Sequence, residues 1–321
     1  MMDRKIILGI DTSNYTTSAA LLYEDGELIA NLKCPLTVKA GERGLRQSDA
    51  VFQHVKNIPE LMDEVRSVLL GRTLSAVGVS SRPRNIEGSY MPCFLTGLAV
   101  AESVSATLDI PIFKFSHQCG HIMAAIFSSG IKLDEGECFG AFHISGGTTE
   151  LLLVRGSEFG FKAEVVGGTL DLNAGQLVDR VAVKLGLGFP GGPALEKLAM
   201  GYDGRIKGKK LALKDCYVNL SGLENAADEL YRKSSDASEC AAFVFKSIAR
   251  GVGDMTRAFL SKYGDMPMIF AGGVMCNSII RNELEGEFKC YFAKPEMSAD
   301  NAVGIAELAR RSYIANVSNN K

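Results

Sequence analysis

The sequence predicts a duplicated α/β protein in which a βββ-α-β-α unit occurs twice, with a cleft between the halves. Three observations carry this. A chain of 321 residues, 46% apolar and 22% charged, has ordinary globular composition, and its length suits two domains of roughly 100–200 residues each. An apolar strand that ends in a short polar turn and leads into a hairpin occurs twice, at Asp11-Thr12-Ser13 and at Ser145-Gly146-Gly147. After each hairpin, helical periodicity alternates with short apolar runs, the pattern of strands joined by helices.

Along the chain, KIILGID is apolar up to Asp11, and TSAALLY (17–23) and ELIANLK flank the tight turn Glu24-Asp25-Gly26. Residues 46–70 read as a helix, with Val51, Val55, Ile58, Met62, Val65 and Leu69 on one face and Pro59 as a point for a kink. A strand (74–81), a helix (91–108), a strand (111–115) and a helix (117–127) follow, the last with Ser116 placed to cap it. The opening pattern then returns as strands at 138–145, 148–155 and 159–166. Helices follow at about 174–187, 192–200, 238–262, 275–285 and 300–315, with a strand at 266–273. The polar, turn-rich stretch at 130–137 divides the chain into domains 1–133 and 134–321.

Lys and Arg number 35 against 37 Asp and Glu, for a net charge of −2. A free-standing nucleic-acid binder is usually basic, so binding to RNA is expected to need helper proteins. No apolar run reaches the roughly 18 residues of a membrane span, and the apolar stretch before Asp11 is too short for a signal peptide. A cytoplasmic protein with no membrane partner is expected. The eight cysteines are scattered with no CxxC pair, which points away from a thiolate zinc site or a disulfide framework and toward idle thiols in a reducing compartment.

Exposed backbone N–H groups after a strand make an anion-binding concavity. Asp11-Thr12-Ser13, Ser145-Gly146-Gly147-Thr148-Thr149 and Ala271-Gly272-Gly273-Val274 fit that description, the last opening a helix. Each alone is a weak signal, since a glycine in a hairpin is more often structural; together they point to a nucleotide in the cleft. Of four histidines, His117 and His121 stand at i and i+4, so that on a helix they share one face and suit one divalent metal. Two surface histidines would show the same spacing. A metalloprotease helix would need glutamate at Gln118, so direct peptidase chemistry has no base. Asp300 lies in KPEMSADNAVG at a predicted helix start, where an N-cap role is the plain alternative.

The segments GIDTSNYTTSAALL, FSHQCGH, FHISGGTTELLLV, NAGQLVDRVAVKLGLGFPGGPALEKLA, LSGLEN, AGGVMCNSIIR and KPEMSADNAVGIA, in this order, resemble the TsaD/Kae-type tRNA N6-adenosine threonylcarbamoyltransferases, formerly called O-sialoglycoprotein endopeptidases (peptidase family M22). The resemblance spans about 5–310. It implies a duplicated actin-like ATPase (ASKHA) fold, and a divalent metal, iron or zinc, held by His117, His121 and Asp300. It implies that His143, Ile144, Ser145, Gly146 and Gly147 lie on an adenine nucleotide or acyl-adenylate. Asp179 would bond the ribose, Gly192 and Glu196 would line the same pocket, and Asn277 would lie near the adenosine. His143 matches a position that is a tyrosine ligand in archaeal members. It is expected as a fourth metal ligand, with a buried core histidine as the alternative, and Asp300 is expected to reach the metal from the second domain. Asp11, Ser145, Gly146 and Gly147 form the expected catalytic set.

Some positions depart from the resemblance. The family's opening G-I-E-T-S-C-D-E-T becomes Asp11 in place of Glu and Asn14-Tyr15-Thr16 in place of C-D-E. Its Gly-Pro-Gly-Leu becomes Arg82-Pro83-Arg84-Asn85, and the lysine after S-G-L becomes Glu224. These changes suit a divergent paralogue. Arg82 and Arg84 read either as a clamp for phosphate or carboxylate or as loop cover. Arg205 to Lys210 reads either as a contact to RNA backbone or as a solvated loop. The expected reaction is metal-dependent transfer of a threonylcarbamoyl or related carbamoyl group from its AMP anhydride to the N6 amine of an anticodon-loop adenosine in tRNA. A non-catalytic nucleotide-binding scaffold is the rival. A sugar kinase of the same fold would leave the two-histidine helix without a role.

Overall fold

The computed structural model describes residues 4–13, 15–38, 44–131, 136–157 and 160–319. Asn14 of the altered opening motif, residues 132–135 of the expected boundary and Phe159 lie outside them. The chain forms two compact units: Met1–Glu137 with Arg155–Ala163 and Lys294–Lys321, and Cys138–Val154 with Glu164–Ala293. The C-terminal segment therefore packs with the first unit, whereas the sequence division at 133/134 put it in the second.

The first unit opens with β1 (Ile6–Ser13), β2 (Thr16–Tyr23), β3 (Leu28–Pro35), α1 (Gln47–Leu69), β4 (Leu74–Arg82), α2 (Phe94–Leu108), β5 (Ile112–Ser116) and α3 (His117–Ser129). The sheet order is β3-β2-β1-β4-β5. β1 pairs antiparallel with β2 and parallel with β4, and β4 pairs parallel with β5. KIILGID is apolar on both faces because both are covered. Ile6, Leu8 and Ile10 pack with Leu61 and Val65 of α1 and Ala101 of α2, while Ile7 packs with Ala76 and, from the C-terminal helix, Ala309. On α1 the buried face is Ala50, His54, Leu61 and Val65, and Val55 is 57% exposed. Most of the expected apolar stripe packs, with Val65 buried and Val51, Met62 and Leu69 half-buried against the core; Val55 departs from it, and its neighbour His54 turns inward to Thr17 instead.

The second unit holds β6 (Cys138–Ile144), β7 (Thr149–Ser157) and β8 (Gly160–Thr169) apart from their residues within Arg155–Ala163, then α4 (Ala174–Lys184), α5 (Gly192–Met200), β9 (Leu213–Lys214), β10 (Tyr217–Val218), α6 (Ser221–Ser234), α7 (Ala237–Tyr263), β11 (Met268–Ala271), a 3-10 turn (Gly273–Cys276), α8 (Ser278–Glu285) and β12 (Cys290–Phe292). Its order is β12-β11-β6-β7-β8-β10-β9, with β11 parallel to both β6 and β12. The run β8-β7-β6-β11-β12 has the same order as β3-β2-β1-β4-β5, so the duplication read from the turns is one of sheet topology. The core gathers on Phe142, Phe245, Phe259 and Phe270. Sequence periodicity missed α6 and the two- and three-residue strands. After β12 the chain forms α9 (Pro295–Ser298) and α10 (Val303–Asn319), which belong to the first unit.

Candidate metal centre

The centre is built where two helices touch. A Cβ on Gly304 of α10 would lie 1.8 Å from the carbonyl oxygen of Gly120 in α3, so these backbones are in direct contact and Gly304 has no room for a side chain; a Cβ on Gly120 would meet the end of the Ile305 side chain at 2.9 Å. Gly120 precedes His121, and Gly304 stands in the first turn of α10, four residues after Asp300. The crossing therefore sets the carboxylate against the histidines. Ser116 fixes the start of α3 by accepting from the Cys119 N–H at 3.2 Å, as the sequence predicts.

His117 and His121 share one face of α3, their ring centroids 4.4 Å apart and their planes at 72°. Asp300 Oδ1 lies 3.6 Å from His117 Nε2 and 3.4 Å from His121 Nε2. A tetrahedral ion with ligands at about 2.1 Å has ligand–ligand edges of about 3.4 Å. The trio, with one donor atom each and all within 4.8 Å of one another, fits such an ion. Asp300 does not cap α10; Asn301 does that work, accepting the Val303 N–H at 3.0 Å. It comes from the first unit's own segment, not from the other domain as the sequence reading expected. Burial opposes charge on both histidines. For His117, Asp11 and Asp300 outweigh burial and raise its pKa to about 10. For His121, burial and the neighbouring His117 charge lower it. Burial works against the Asp300 carboxylate too, but the two histidines hold its pKa well below the usual range.

Asp11-Thr12-Ser13 is not an anion-binding turn. The three residues end β1 in register with Thr16–Ser18 of β2, and the Ser13 N–H donates to Asp11 Oδ1 at 3.1 Å. The carboxylate thus takes a donor that the turn reading needed. Arg82 donates to Asn85 Oδ1 at 2.6 Å and to Ser81 Oγ at 3.3 Å, and Pro83 O accepts from the Gln118 N–H on the first turn of α3. The altered loop is therefore tied to the helix that carries the histidines.

In the second unit the structure brings the remaining candidates together in pairs. Ser145–Gly147 forms an open bend in which a Cβ on Gly146 or Gly147 would meet nothing within 4 Å, and Asn173 Nδ2 donates to Gly147 O at 3.1 Å. Asp179 Oδ1 accepts the Gly191 N–H at 2.8 Å, beside Gly192; burial raises its pKa and that bond lowers it. Glu196 Oε1 accepts the N–H and hydroxyl of Ser278, each at 2.7 Å. Adjacent Asn277 caps α8 through the Ile280 N–H, and its Nδ2 is buried without a hydrogen-bond partner. Gly272 has φ +96°, and a Cβ there would lie 2.3 Å from Ile144 O. His143 and Ile144 end β6 and are buried. His143 is not among the three residues whose donor atoms cluster. All eight cysteines are free thiols, and no helix among the described residues is long and apolar enough to cross a membrane.

The sheets and the histidine–carboxylate trio define an actin-like ATPase fold carrying a metal-type centre. Solved structures agree on the fold. T. kodakarensis HypF matches with a TM-score of 0.65 at 13% identity, over 98% of this chain and 48% of that one. A ROK family glucokinase from Streptomyces griseus, in complex with glucose and AMPPNP, matches with a TM-score of 0.53 at 15% identity, over 95% and 99%. The chain spans about half the length of the HypF chains it matches. The family model for tRNA N6-adenosine threonylcarbamoyltransferase matches residues 37–307. Relatives of that name come from Carboxydothermus hydrogenoformans (30% identical, 97% of this chain and 93% of the relative) and Syntrophomonas wolfei (28%, 98% and 94%). A third comes from Methanopyrus kandleri (26%, 94% and 86%). The chain belongs to the tRNA N6-adenosine threonylcarbamoyltransferase family and is a transferase.

Proposed function

We propose that the chain transfers a threonylcarbamoyl, or closely related carbamoyl, group from its AMP anhydride to the N6 amine of an anticodon-loop adenosine in tRNA. The observation that carries this is the convergence of His117, His121 and Asp300 in a member of that transferase family. These three would hold one divalent ion, and their nitrogen and oxygen donors suit zinc or iron rather than magnesium. Bound there, the ion supplies Lewis acidity for phosphate or carbamoyl oxygens.

The chain's own groups do the rest. The Gly146 and Gly147 N–H groups donate to the adenylate and stabilise its charge. Asp179 keeps its second carboxylate oxygen for a ribose hydroxyl while the first accepts from Gly191. Gly192, Glu196 and Asn277 border the adenosine, and Asn277 Nδ2 is a donor for it. His143 and Ile144 lead into this turn. The nucleophile is the acceptor amine, so no serine or cysteine nucleophile is needed. A net charge of −2 gives little counterion-release drive toward a polyanion, so helper proteins bring the tRNA, in the cytoplasm.

The altered Arg82–Asn85 loop supports a second reading, a divergent paralogue that binds nucleotide as a scaffold without transfer. One assay separates the two. The chain, with the proteins that co-purify with it, is incubated with unmodified tRNA and threonylcarbamoyl-AMP, and the digested nucleosides are read by mass spectrometry. Transfer predicts threonylcarbamoyladenosine that disappears on chelation and in His121→Ala. Absence of product while adenine-nucleotide binding persists overturns transfer and leaves the scaffold.

A further inference from the structure

We propose that Asp11 is a positioning residue for the metal centre. It accepts from Nδ1–H of the His117 imidazole, so that Nε2, on the Asp300 side, is the nitrogen left to take an ion. This rests on the metal reading above and deepens it, because it gives a buried carboxylate outside the trio a defined task.

Asp11 is 1% exposed. Its Oδ1 accepts from the Ser13 N–H and from the Ser80 hydroxyl. Its Oδ2 accepts from the Ser13 hydroxyl at 3.2 Å and lies 2.8 Å from His117 Nδ1. A carboxylate offers about four lone-pair directions, and each is matched here by one donor. The donors come from β1, β4 and α3, so the carboxylate cannot turn without breaking bonds to three elements. An ionised carboxylate only accepts; its partner at 2.8 Å must therefore carry hydrogen, and that partner is Nδ1. When an ion takes the place of the ring's second proton, the nitrogen that meets it is then Nε2. That nitrogen is the one 3.6 Å from Asp300 Oδ1. Asp11 itself meets the far side of the ring and is not one of the three clustered donors. This is the carboxylate–histidine–metal relay, in which an outer partner fixes the tautomer and raises ligand basicity.

Substitution by asparagine keeps the size but turns an acceptor into an amide. With its oxygen on the Ser13 N–H and Ser80, its NH2 would face Nδ1 and favour the wrong tautomer, with hydrogen on Nε2. The experiment is a zinc titration against a chromophoric chelator, on the full chain, for wild type, Asp11→Asn, His117→Ala and the double variant. Folding is checked by circular dichroism. The proposal predicts zinc binding weakened about 10–100-fold in Asp11→Asn and no further loss when Asp11→Asn is added to His117→Ala. A purely structural role predicts the same loss in both backgrounds, because it does not act through the imidazole. Should Asp11→Asn fail to fold, Ser80→Ala serves instead. It leaves the carboxylate in place but frees it to turn, and a weaker zinc affinity is expected. Unchanged affinity in Asp11→Asn, or in Ser80→Ala where that stands in, or equal losses in both backgrounds, overturns the role of Asp11 while the metal reading stands. Failure of the wild type to bind zinc or iron(II) overturns both.

Discussion

Two regions carry the candidate chemistry, and they are made of different material. In the first unit it is side chains: two imidazoles and a carboxylate brought together by a helix crossing, with a second buried carboxylate behind one ring. In the second unit it is mostly backbone: an open glycine bend, a positive-φ glycine and the starts of short helices. Two aspartates sharpen the contrast. Asp11 and Asp171 each gather serine and backbone donors. Asp171 accepts from Leu172, Leu220 and Ser221 and so ties the end of β8 to the start of α6. Only Asp11 also meets an ionisable ring. The same local device, a carboxylate collecting donors, serves architecture in one unit and a candidate active site in the other. What separates them is what stands on the remaining lone pair.

The contrast breaks most visibly at the helix crossing. Gly304→Ala adds a methyl where 1.8 Å separates the built Cβ from Gly120 O. Overpacking of this kind costs roughly 1–3 kcal/mol, and here the relief is movement of α10 away from α3. Zinc affinity should fall although no ligand has changed, and adenine-nucleotide binding should be less affected. Urea unfolding and a zinc titration check this; an unaltered zinc affinity would sink the claim that the crossing sets Asp300.

The converse variant is Gly272→Ala. At φ +96° a side chain is strained whatever the space, and the built Cβ meets Ile144 O at 2.3 Å. A strained residue of this kind costs about 1–3 kcal/mol, placed where β6 gives way to the Ser145–Gly147 bend. Calorimetry should show weaker ATP or AMP binding, with zinc affinity close to wild type. Loss of zinc binding and retention of the nucleotide would invert the assignment of the two regions.

The smallest effect is expected at Asp171→Asn, about 1 kcal/mol by analogy with lost helix caps. Burial opposes ionisation of Asp171, but the Ser221 hydroxyl and the Leu220, Leu172 and Ser221 N–H groups lower its pKa to about 2. A group whose folded-state pKa is depressed stabilises the fold above its ordinary pKa near 4, and that stability fades as pH falls through 2. Wild type and variant should therefore differ in unfolding free energy at pH 7 and converge toward pH 2. A constant difference across that range would assign the effect to packing rather than charge.

The legible parts of the sequence are those with short-range signals. The two strand-turn-hairpin openings give the duplication, and the spacing of His117 and His121 gives a shared helix face. Ser116 is a cap in sequence and in structure. Asp300 stands out in the sequence as a carboxylate at a helix start, but only the resemblance makes it a ligand, because 178 residues lie between it and His121; its unit is misread for the same reason, since chain order does not show a C-terminal helix returning to the first sheet. The signal that was present is the run of small residues. Gly9, Gly78 and Gly304 mark where α10 lies against β1, β4 and α3, but a glycine does not name its neighbour. Asp11 looked like part of a turn because a carboxylate that takes its own neighbours' donors has the same sequence as one that leaves them exposed. His54 takes the inward place beside exposed Val55 on α1 for an equally non-local reason: its partner is a buried hydroxyl on β2.

The central claim is that one divalent ion sits on His117, His121 and Asp300. The most direct measurement is anomalous scattering at the zinc and iron edges from crystals of protein purified without chelator. The account predicts a single peak bounded by His117 Nε2, His121 Nε2 and Asp300, with ligand distances of about 2.0–2.2 Å, and its loss in His121→Ala. A metal-loaded crystal with its peak elsewhere, or a peak unchanged in His121→Ala, would contradict it.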